Sequence, residues 1–591
     1  MSADVYRKLS ELEELERQEK YLARCKDNFV YKRPVGIALY FREPIAVARS
    51  ENKKQIEEVK KREEAASKRH TAAVVVLGDI GRSPRMCYHA YSLATQLDYD
   101  VSLVGYLDSI PHPLIHNNEH IKYVPLSPPP DRIAKLPEAV QLPLKFLWTF
   151  IVLSWALLFR VSWDVKLILM QNPPALPTMF VCWVVSRVKS AKFVIDWHNY
   201  MWSVIKDKSG IEQLTLPRLV EEEVEGKESN KDTVVRRKIT REDREAAVAA
   251  SRRKRQNSSG EKKERKTFKR RYIEWVYRWE GACGRRADAG LCVTRSMRED
   301  LQRAWGVHAA VFYDRAPSCT FRSFTLNDKH ELLLRLGLSS NGQVFAANPA
   351  EDTTRFSIRD PSTRQVRARD DRPLLMISST SWTPDEDFQI LLDAVKKYND
   401  VAAINRSSTP ATRLPTIVLV ITGRGPLKDY YMEKIQRMKM EYVEVHTPWL
   451  ESQDYPLMIA TADLGVSLHT STSGLDLPMK VVDMFGAGIP VLAKRFNCIG
   501  ELVQDGQNGY LFDTATDLFQ HLFALATGFP THSKKLHELK QFVLDEGLPS
   551  WEENWATVAK PILAPNLDPH FERVMARFGV RLFGFILFLP Q

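Results

Sequence analysis

Apolar and polar positions along the chain fall into two long runs in which strand-like and helix-like segments alternate, set apart by highly charged stretches. The first run opens with AVVVLGDIGRSPRMCYHAYSLATQL, which reads as a buried β-branched strand over 73–77, a Gly-containing turn over 78–85 and a helix over 86–97. DVSLVGYL and IKYVPL supply two further strands. VKLILMQNPPALPTMF gives a strand over 165–170 that meets a turn over 171–174, and AKFVIDWHNYMWS gives a strand ending in Asp196. Residues 275–306 then read as helix, short strand over 289–293 and helix, and VFYDRAP as the apolar strand leading out of this half. The second run begins with PLLMISSTSWTPDEDFQILLDAV and continues through TIVLVITGRGPLKDYYMEKI and VEVHTPWLESQDYPLMIATADLGVSLHTS to SGLDLPMKVVDMF. Strands alternating with helices predict parallel, doubly wound sheets. The fold class is therefore α/β, with two facing Rossmann-like domains and a cleft between them.

Composition agrees with more than one core. A chain of 591 residues, 44% hydrophobic and 27% charged, is too long for a single core and too apolar to be disordered throughout. The expected divisions are a charged helical or disordered extension over 1–70, a first domain over 71–320, a linker over 321–372, a second domain over 373–565, and a tail over 566–591 with an apolar end. No secretory signal opens the sequence. Within the first domain, residues 206–271 are charged and low in aromatics, the composition of a solvated insertion. The net charge of +11 fits an anionic partner without choosing between nucleic acid, a phosphorylated substrate and an acidic lipid surface. No recognised nucleic-acid module accompanies the basic run, so nucleic acid is set aside. Seven scattered cysteines with no CxxC pair argue against a disulfide framework and a zinc ribbon, and read as reduced thiols.

The most hydrophobic stretch, LPLKFLWTFIVLSWALLFRV over 142–161, has its uninterrupted apolar run between Lys145 and Arg160, short of the roughly 20 residues a spanning helix needs. It reads as a core helix or, with Trp148 and Trp155 as anchors, as a helix lying in a membrane interface. The apolar runs 179–185 and 580–590 would deepen such a contact.

Chemistry concentrates at the strand ends. HTSTSGLDLPMKVVDMF, over 469–485, places a small hydroxyl-rich turn, a helix start and Lys480 together, which suits an anion and equally an ordinary helix N-terminus. Two neighbouring loops strengthen the first reading: SSTSWTPDED after one strand, carrying Ser381, and TGRGP after the next, carrying Arg424 and Gly425. Small residues such as Ser473 and Gly474 let backbone approach a diphosphate, Arg424 and Lys480 neutralise it, and Asp483 can accept from a ribose. In the first domain the GDIGR turn sets Gly78, Asp79, Gly81 and Arg82 at the mouth of the crevice. Asp196 and His198, past a buried strand, are candidates for acid–base work or sugar contacts, against a structural role for the histidine.

GDIGRSPRM, IDWHNY, VTRSMREDL, VFYDRAP, SSTSWTPDEDF, ITGRGPLKDYY, TPWLESQDYP and SGLDLPMKVVDMFG together resemble the chitobiosyldiphosphodolichol β-mannosyltransferase family, in colinear blocks over 73–204 and 272–562. The resemblance implies a GT-B fold, an acceptor-side first domain and a GDP-mannose-binding second domain. It implies an inverting β-1,4 transfer of mannose to dolichol-linked chitobiose diphosphate at the cytosolic face of the endoplasmic reticulum membrane, the first mannosylation of the lipid-linked N-glycan precursor. Other dolichol-pathway mannosyltransferases enter as partners on the same ground. Asp476 and Asp483 take the places of the superfamily's two acidic residues, and Glu501 would help hold that element. Gly78, Gly81, Arg82, Ser381, Arg424, Gly425, Ser473, Gly474 and Lys480 complete the implied donor site. For the base, Asp79 ranks ahead of His198, Asp196 and His89, with an alternative role for Asp79 in fixing the Gly turn. No metal-ligand cluster is visible, so no obligatory cofactor is expected, and a divalent cation (Mg or Mn) would at most stimulate. Family members usually begin with a hydrophobic anchor, whereas residues 1–70 are charged, so membrane attachment would fall to 142–161, the basic insertion and the apolar tail. A GT-B transferase with another acceptor, a non-catalytic scaffold and a nucleic-acid binder are the rival readings.

Overall fold

The computed structural model describes residues 69–211, 216 and 260–564, apart from breaks at 322, 340–344, 346–350, 384–385, 406–408, 449, 452 and 472. The expectations for residues 1–68, for most of the insertion and for the apolar tail lie outside the described residues.

Two parallel sheets carry the fold. The first has seven strands in the order β3-β2-β1-β4-β5-β6-β7: β1 His70–Asp79, β2 Tyr99–Tyr106, β3 Ile121–Pro125, β4 Val165–Asn172, β5 Lys192–Trp197, β6 Ala289–Cys292 and β7 Ala310–Val311. The second has six strands in the order β12-β11-β10-β13-β14-β15: β10 Leu374–Ser379, β11 Ile417–Thr422, β12 Val443–His446, β13 Leu464–Ser467, β14 Val491–Lys494 and β15 Gly509–Phe512. Between these sheets in sequence, β8 Ser357–Arg359 and β9 Val366–Ala368 form a small antiparallel pair. The central strands are buried on both faces, as in Ala72–Val76 of β1 and throughout β11, which is why they read as continuous apolar runs. In each sheet the order reverses beside the first strand, between β1 and β4 and between β10 and β13. Loops leaving those four strands open onto the crevice where α/β sheets bind ligands. This is the two-domain architecture that the hydrophobic pattern predicts.

Several boundaries differ from the sequence reading. Residues 321–372 are not a bare linker: the helix Leu326–Ser339 buries Leu332, Leu333 and Leu336 in the same cluster as Val418, Val481 and Met484 of the second domain. Arg335 of that helix makes a bidentate pair with Asp454 at 2.7 and 2.8 Å. Of VFYDRAP only Val311 lies in the short β7; the Phe312 N–H still donates to the Cys292 carbonyl at 2.8 Å, and from Tyr313, whose Oη donates to Glu501 of the second domain at 2.8 Å, the segment leaves the sheet. The chain also returns to the first domain at its end. In the helical segments from Trp551 to Leu563, Trp551 Nε1 donates to Ser92 Oγ at 3.0 Å, Trp555 Nε1 to His89 Nδ1 at 3.0 Å, and the Ile562 carbonyl accepts from Lys192 Nζ at 2.7 Å. The second domain therefore closes before residue 551 rather than at 565.

The apolar stretch is longer than its uninterrupted run suggests. A helix over Glu138–Trp155 continues in π form through Ala156–Arg160, so that 21 residues, Val140–Arg160, are long and apolar enough to cross a membrane. Lys145 does not interrupt it. One side is committed to the protein, with Leu153, Ala156 and Leu157 in the core of the first domain. The other side presents Leu147, Ile151, Trp155 and Phe159, at i, i+4 spacing, to the outside. Of the two proposed anchors, Trp155 is exposed and stacks on Phe159 at 4.4 Å. Trp148 is half-buried and donates to the Ser127 carbonyl at 3.0 Å, so it serves the loop beside it.

Candidate functional site

The loop after β1 folds around Asp79. Its Oδ1 accepts from the backbone N–H groups of Gly81, Asp108 and Ser109 at 3.3, 3.2 and 3.1 Å, and its Oδ2 from Ser109 Oγ at 2.5 Å. Arg82 Nε stands 3.4 Å from the same oxygen. Burial would raise the Asp79 pKa, but the Ser109 and backbone hydrogen bonds outweigh it and lower it. A carboxylate with its acceptor positions occupied fixes a turn and is poorly placed to take a substrate proton. The first-ranked base is thus reassigned to holding the Gly turn. Gly81 is required there, since a methyl would meet Ser109 Oγ at 2.5 Å, whereas Gly78 has no neighbour nearer than 3.9 Å. Arg82 is exposed at the rim.

The end of β5 is built differently. Asp196 is fully buried and accepts two hydrogen bonds from Arg85, Nε at 2.7 Å and Nη2 at 2.9 Å. Arg85 also donates to Asp314 Oδ1 at 2.7 Å and to the Phe312 carbonyl at 3.0 Å. Burial alone would raise the Asp196 pKa, and the charges of Arg85 and His198 reverse this and hold it well below the usual range. An ionised, saturated Asp196 orients its neighbours. His89 shows the consequence: Trp555 donates to its Nδ1, so its Nε2–H points to Asp196 at 3.2 Å. Buried with both ring nitrogens engaged, and with burial lowering its pKa, His89 is a structural histidine. His198 is the opposite case. Its Nε2 lies 2.9 Å from Asp196 Oδ2, which places the proton on Nε2 and leaves Nδ1 as the acceptor nitrogen. The ring is 20% exposed and lines a cavity of 210 Å³ with Arg82, Gln171 and Asp314 of one half and Asp476 and Met479 of the other. Gln171 Oε1, at the end of β4, is buried with no hydrogen-bond partner among the described residues, an acceptor left for a ligand.

In the second domain the three sequence-predicted loops do meet. Lys480, on the helix Met479–Gly486, pairs with Glu386 Oε1, and Glu386 Oε2 accepts from Thr380 Oγ1 and from the Ser381 N–H at 2.9 Å. Thr380 N donates to the Thr422 carbonyl at 2.9 Å, and Leu427 N to the Trp382 carbonyl at 3.1 Å. Gly423 has φ +119°, and a methyl at Gly423 or Gly425 would overlap the carbonyl oxygens of Thr380 or Ser381. Arg424 is exposed on this loop. Lys480 is thus anchored by a carboxylate before any diphosphate arrives, a partner the sequence reading did not assign. No side chain caps the helix, but the turn before it is closed on itself: Gly474 N donates to Ser471 Oγ at 2.9 Å and Leu475 N to Ser473 Oγ at 3.3 Å. The open anion nest expected at 473–474 is an internally bonded turn.

Asp476 and Asp483 have different surroundings. Asp476 Oδ1 accepts from Ser471 Oγ and, across the cleft, from Asn199 Nδ2 at 3.1 Å. Asp483 is half-buried and accepts from Tyr455 Oη at 3.2 Å; burial, against that hydrogen bond and with help from Asp314, pushes it up to about 7. Glu501 faces away from this loop. It takes the N–H groups of Arg295 and Ser296 at 2.7 and 2.9 Å, Ser296 Oγ at 2.6 Å and Tyr313 Oη at 2.8 Å, and so caps the helix Arg295–Trp305 of the first domain. It clasps the two halves, as does Thr294 Oγ1 on the Leu475 carbonyl at 2.6 Å. Among the described residues, no group of three or more His, Cys, Asp or Glu is arranged to hold a metal.

Comparisons with known proteins agree with this architecture. The profile of glycosyl transferases group 1 matches residues 372–527. A chitobiosyldiphosphodolichol β-mannosyltransferase of Mus musculus is 37% identical over 495 residues, 83% of this chain and 88% of its own, and that of Homo sapiens is 36% identical over 500 residues, 84% and 92%. The chain belongs to the chitobiosyldiphosphodolichol β-mannosyltransferase family. A protein of Arabidopsis thaliana named UDP-glycosyltransferase TURAN is 36% identical over 519 residues, 84% of this chain and 97% of its own. For this family member the sequence missed Arg85, Gln171, Asp314 and Glu386. Arg85, Asp314 and Glu386 stand in GDIGRSPRM, VFYDRAP and SSTSWTPDEDF, where nothing local distinguishes them from solvated charges, and Gln171 is an uncharged residue at the end of a buried strand.

Gly425→Ala should lower stability by about 1–3 kcal/mol through overpacking against the Ser381 carbonyl, while Gly500→Ala, where a methyl meets nothing within 4 Å, should not. Equal thermal unfolding midpoints for the two variants would refute the close loop approach.

Proposed function

We propose that the chain transfers mannose from GDP-mannose to the diphosphodolichol-linked chitobiose acceptor, with inversion and a β-1,4 linkage. The observation that carries the catalytic reading is His198: an imidazole with one nitrogen fixed by a buried carboxylate and the ring lining the cavity between the domains. In the transfer the acceptor O4 bonds to the anomeric carbon as its bond to the diphosphate oxygen breaks. The hydroxyl proton passes to His198 Nδ1, and the electron pair leaves with GDP. Asp196 stabilises the imidazolium that forms and Arg85 keeps Asp196 ionised, both as positioning residues. Asp476, across the same cavity, is placed to accept from a mannose hydroxyl. Arg82, Arg424, Lys480 and the uncapped start of the helix Met479–Gly486 supply positive potential for the departing diphosphate. Asp483 serves the ribose only through rearrangement of its Tyr455 contact. Glu501 acts on domain spacing rather than on the donor.

A second reading rests on the plant relative's name, which specifies a UDP-glycosyltransferase. One assay separates the two: the purified protein with GDP-mannose or a UDP-sugar and the chitobiosyl diphosphate lipid. Turnover with GDP-mannose alone is expected. His198→Gln should reduce kcat by about 10²–10⁴ while the protein stays folded, and Asp79→Asn should act mainly on the melting temperature. A His198 variant with wild-type kcat would sink the assignment. The donor groups above provide the positive charge, so turnover should persist in excess chelator; its abolition, with recovery on adding Mg, would reverse the expectation of no obligatory metal.

The apolar surface supports association with a membrane, which we read as the endoplasmic reticulum membrane on its cytosolic face, with other mannosyltransferases of the pathway as neighbours. Leu147, Ile151, Trp155 and Phe159 do not stand alone. Phe150 contacts Phe180 of the helix Thr178–Val188 at 6.4 Å, and Phe180 contacts Trp279 of the helix Gly260–Gly284 at 6.4 Å. Trp275 and Tyr272 extend the ribbon at 6.0 Å steps, beside exposed Lys269, Arg270, Arg271 and Arg278. Exposed aromatics next to cations suit a bilayer interface with anionic lipid. A span would require Leu153, Ala156 and Leu157 to leave the core, so the helix is read as lying in the interface. Replacing Ile151, Trp155 and Phe159 together by serine should weaken sedimentation with 80:20 phosphatidylcholine:phosphatidylserine vesicles at least tenfold, about 1.4 kcal/mol and within reach of one lost side chain. Unchanged vesicle binding would remove this surface from the account.

A further inference from the structure

The chain passes from the first domain to the second through residues 314–325 and returns through residues 546–551. A cavity of 440 Å³ lies between these crossings and the C-terminal end of the helix Met479–Gly486. It sits at the edge of the second sheet where β13 and β14 begin, beside Ala460, Gly488 and Ile489. The donor loop HTSTSGLD leaves the opposite end of β13, so this is a separate site.

Its lining carries Arg315, Lys329 and Lys540 and no carboxylate, with Phe321, Phe485 and Leu544 as apolar walls. Arg315 is only 9% exposed, and its Nε is buried with no hydrogen-bond partner among the described residues. Its Nη1 reaches only the Asp314 carbonyl, at 3.0 Å, and its guanidinium lies over Tyr313 at 5.0 Å. No salt bridge or side-chain hydrogen bond is made by Lys329 or Lys540 among the described residues. Burial, then the charge of Lys540, lowers the Lys329 amine to about 8. The acids nearby are engaged elsewhere. Asp463 is held by Arg372 at 2.7 and 2.8 Å, Asp314 by Arg85 at 2.7 Å, and Asp328 by Thr325 at 2.8 Å. Glu552 accepts from Ser318 N at 3.1 Å.

Lys540 repels Lys329 more strongly than Asp463, which is shared with Arg372, attracts it, and Arg315 in the same lining is a buried guanidinium with a spare donor. We propose that this cavity binds a phosphate-bearing anion, whose phosphate is met by Arg315, Lys329 and Lys540 and whose apolar part lies against Phe321, Phe485 and Leu544. Arg315 belongs to the outgoing crossing and Leu544 adjoins the returning one, so an occupant touches both connections between the domains. The helix Met479–Gly486 ends there too: Gly486 abuts Ala316, with no room for a methyl. The same helix begins at the donor loop.

The test needs no donor or acceptor, so it stands apart from the mannosyl-transfer reading. The full-length protein in phosphate-free buffer at pH 7 is titrated calorimetrically with inorganic phosphate and, separately, with dihexanoyl phosphatidate below its micelle concentration. Saturable binding at one site per chain is expected for at least one probe, weakened at least tenfold by Lys329→Gln combined with Lys540→Gln and unaffected by Lys535→Gln, an exposed lysine on the same helix as Lys540. Tighter binding of phosphatidate identifies a lipid headgroup with its tail as the source; equal binding identifies a free phosphate. The double variant should also melt at a higher temperature than wild type without anion, because like-charge repulsion is relieved, which shows that it folds. No saturable binding of either probe, or equal binding by wild type and the double variant, would overturn the proposal.

Discussion

The buried pairing of Arg85 with Asp196 is the constraint on which the rest of the first domain depends. Arg85 comes from the helix after β1, Asp196 from the end of β5, Asp314 from the outgoing crossing, and Trp551 and Trp555 from the returning segment. One guanidinium therefore ties the end of β5 and the outgoing crossing to the helix after β1, and that helix in turn receives the returning segment through Ser92 and His89. Its face also lies over Phe312 at 4.6 Å and Trp551 at 5.9 Å, which excludes water from the pair. A buried ion pair of this kind contributes little net stability, because desolvation offsets attraction. Removing one partner, however, costs about 3–5 kcal/mol because the other charge is stranded. The pair thus acts as a lock on geometry, and His198 inherits its orientation from it.

The second domain uses the same device in a smaller form. Glu386 is buried between Lys480 and the Thr380–Ser381 backbone, so one carboxylate joins the helix after β13 to the loop after β10. The glycines of TGRGP then bring a third loop against those carbonyls. Because Lys480 already has a carboxylate partner, an incoming diphosphate would share the lysine with Glu386 rather than meet a bare charge. This arrangement fixes the ammonium against the loop after β10. It also removes the conformational entropy that a free lysine would lose on binding.

The sheets and their order were readable from the chain because burial on both faces leaves an unmistakable apolar signature, and because the loops that matter follow such strands. The division of labour among the acids was not. Asp79 and Asp196 look alike in sequence, each an aspartate at the end of a buried strand. They differ only in the partners that the fold delivers: backbone N–H groups and Ser109 to one, Arg85 and two histidines to the other. Glu501 is a similar case, since its contacts lie about 200 residues away on a helix N-terminus of the other domain. The short β7 and the return of residues 551–563 were hidden for the same reason. Their apolar residues answer to a surface contributed by another domain rather than to a local period.

The helix over 138–160 shows how far pattern alone can mislead in the other direction. Its sequence is apolar nearly all round, which by itself fits a core helix, a span or an interfacial helix. The fold splits that uniform surface into two sides. Leu153, Ala156 and Leu157 are consumed by the first domain, and the remaining side continues through Phe180 to Trp275 and Trp279 on neighbouring helices. A lone spanning helix would gain nothing from that continuity, since its neighbours cannot follow it into lipid. A helix lying flat gains from every aromatic beside it. The platform belongs to the same half as His198 and Gln171, so on the reading proposed above a lipid-borne acceptor would have its anchor and its reacting hydroxyl met by one domain, while the donor arrives from water.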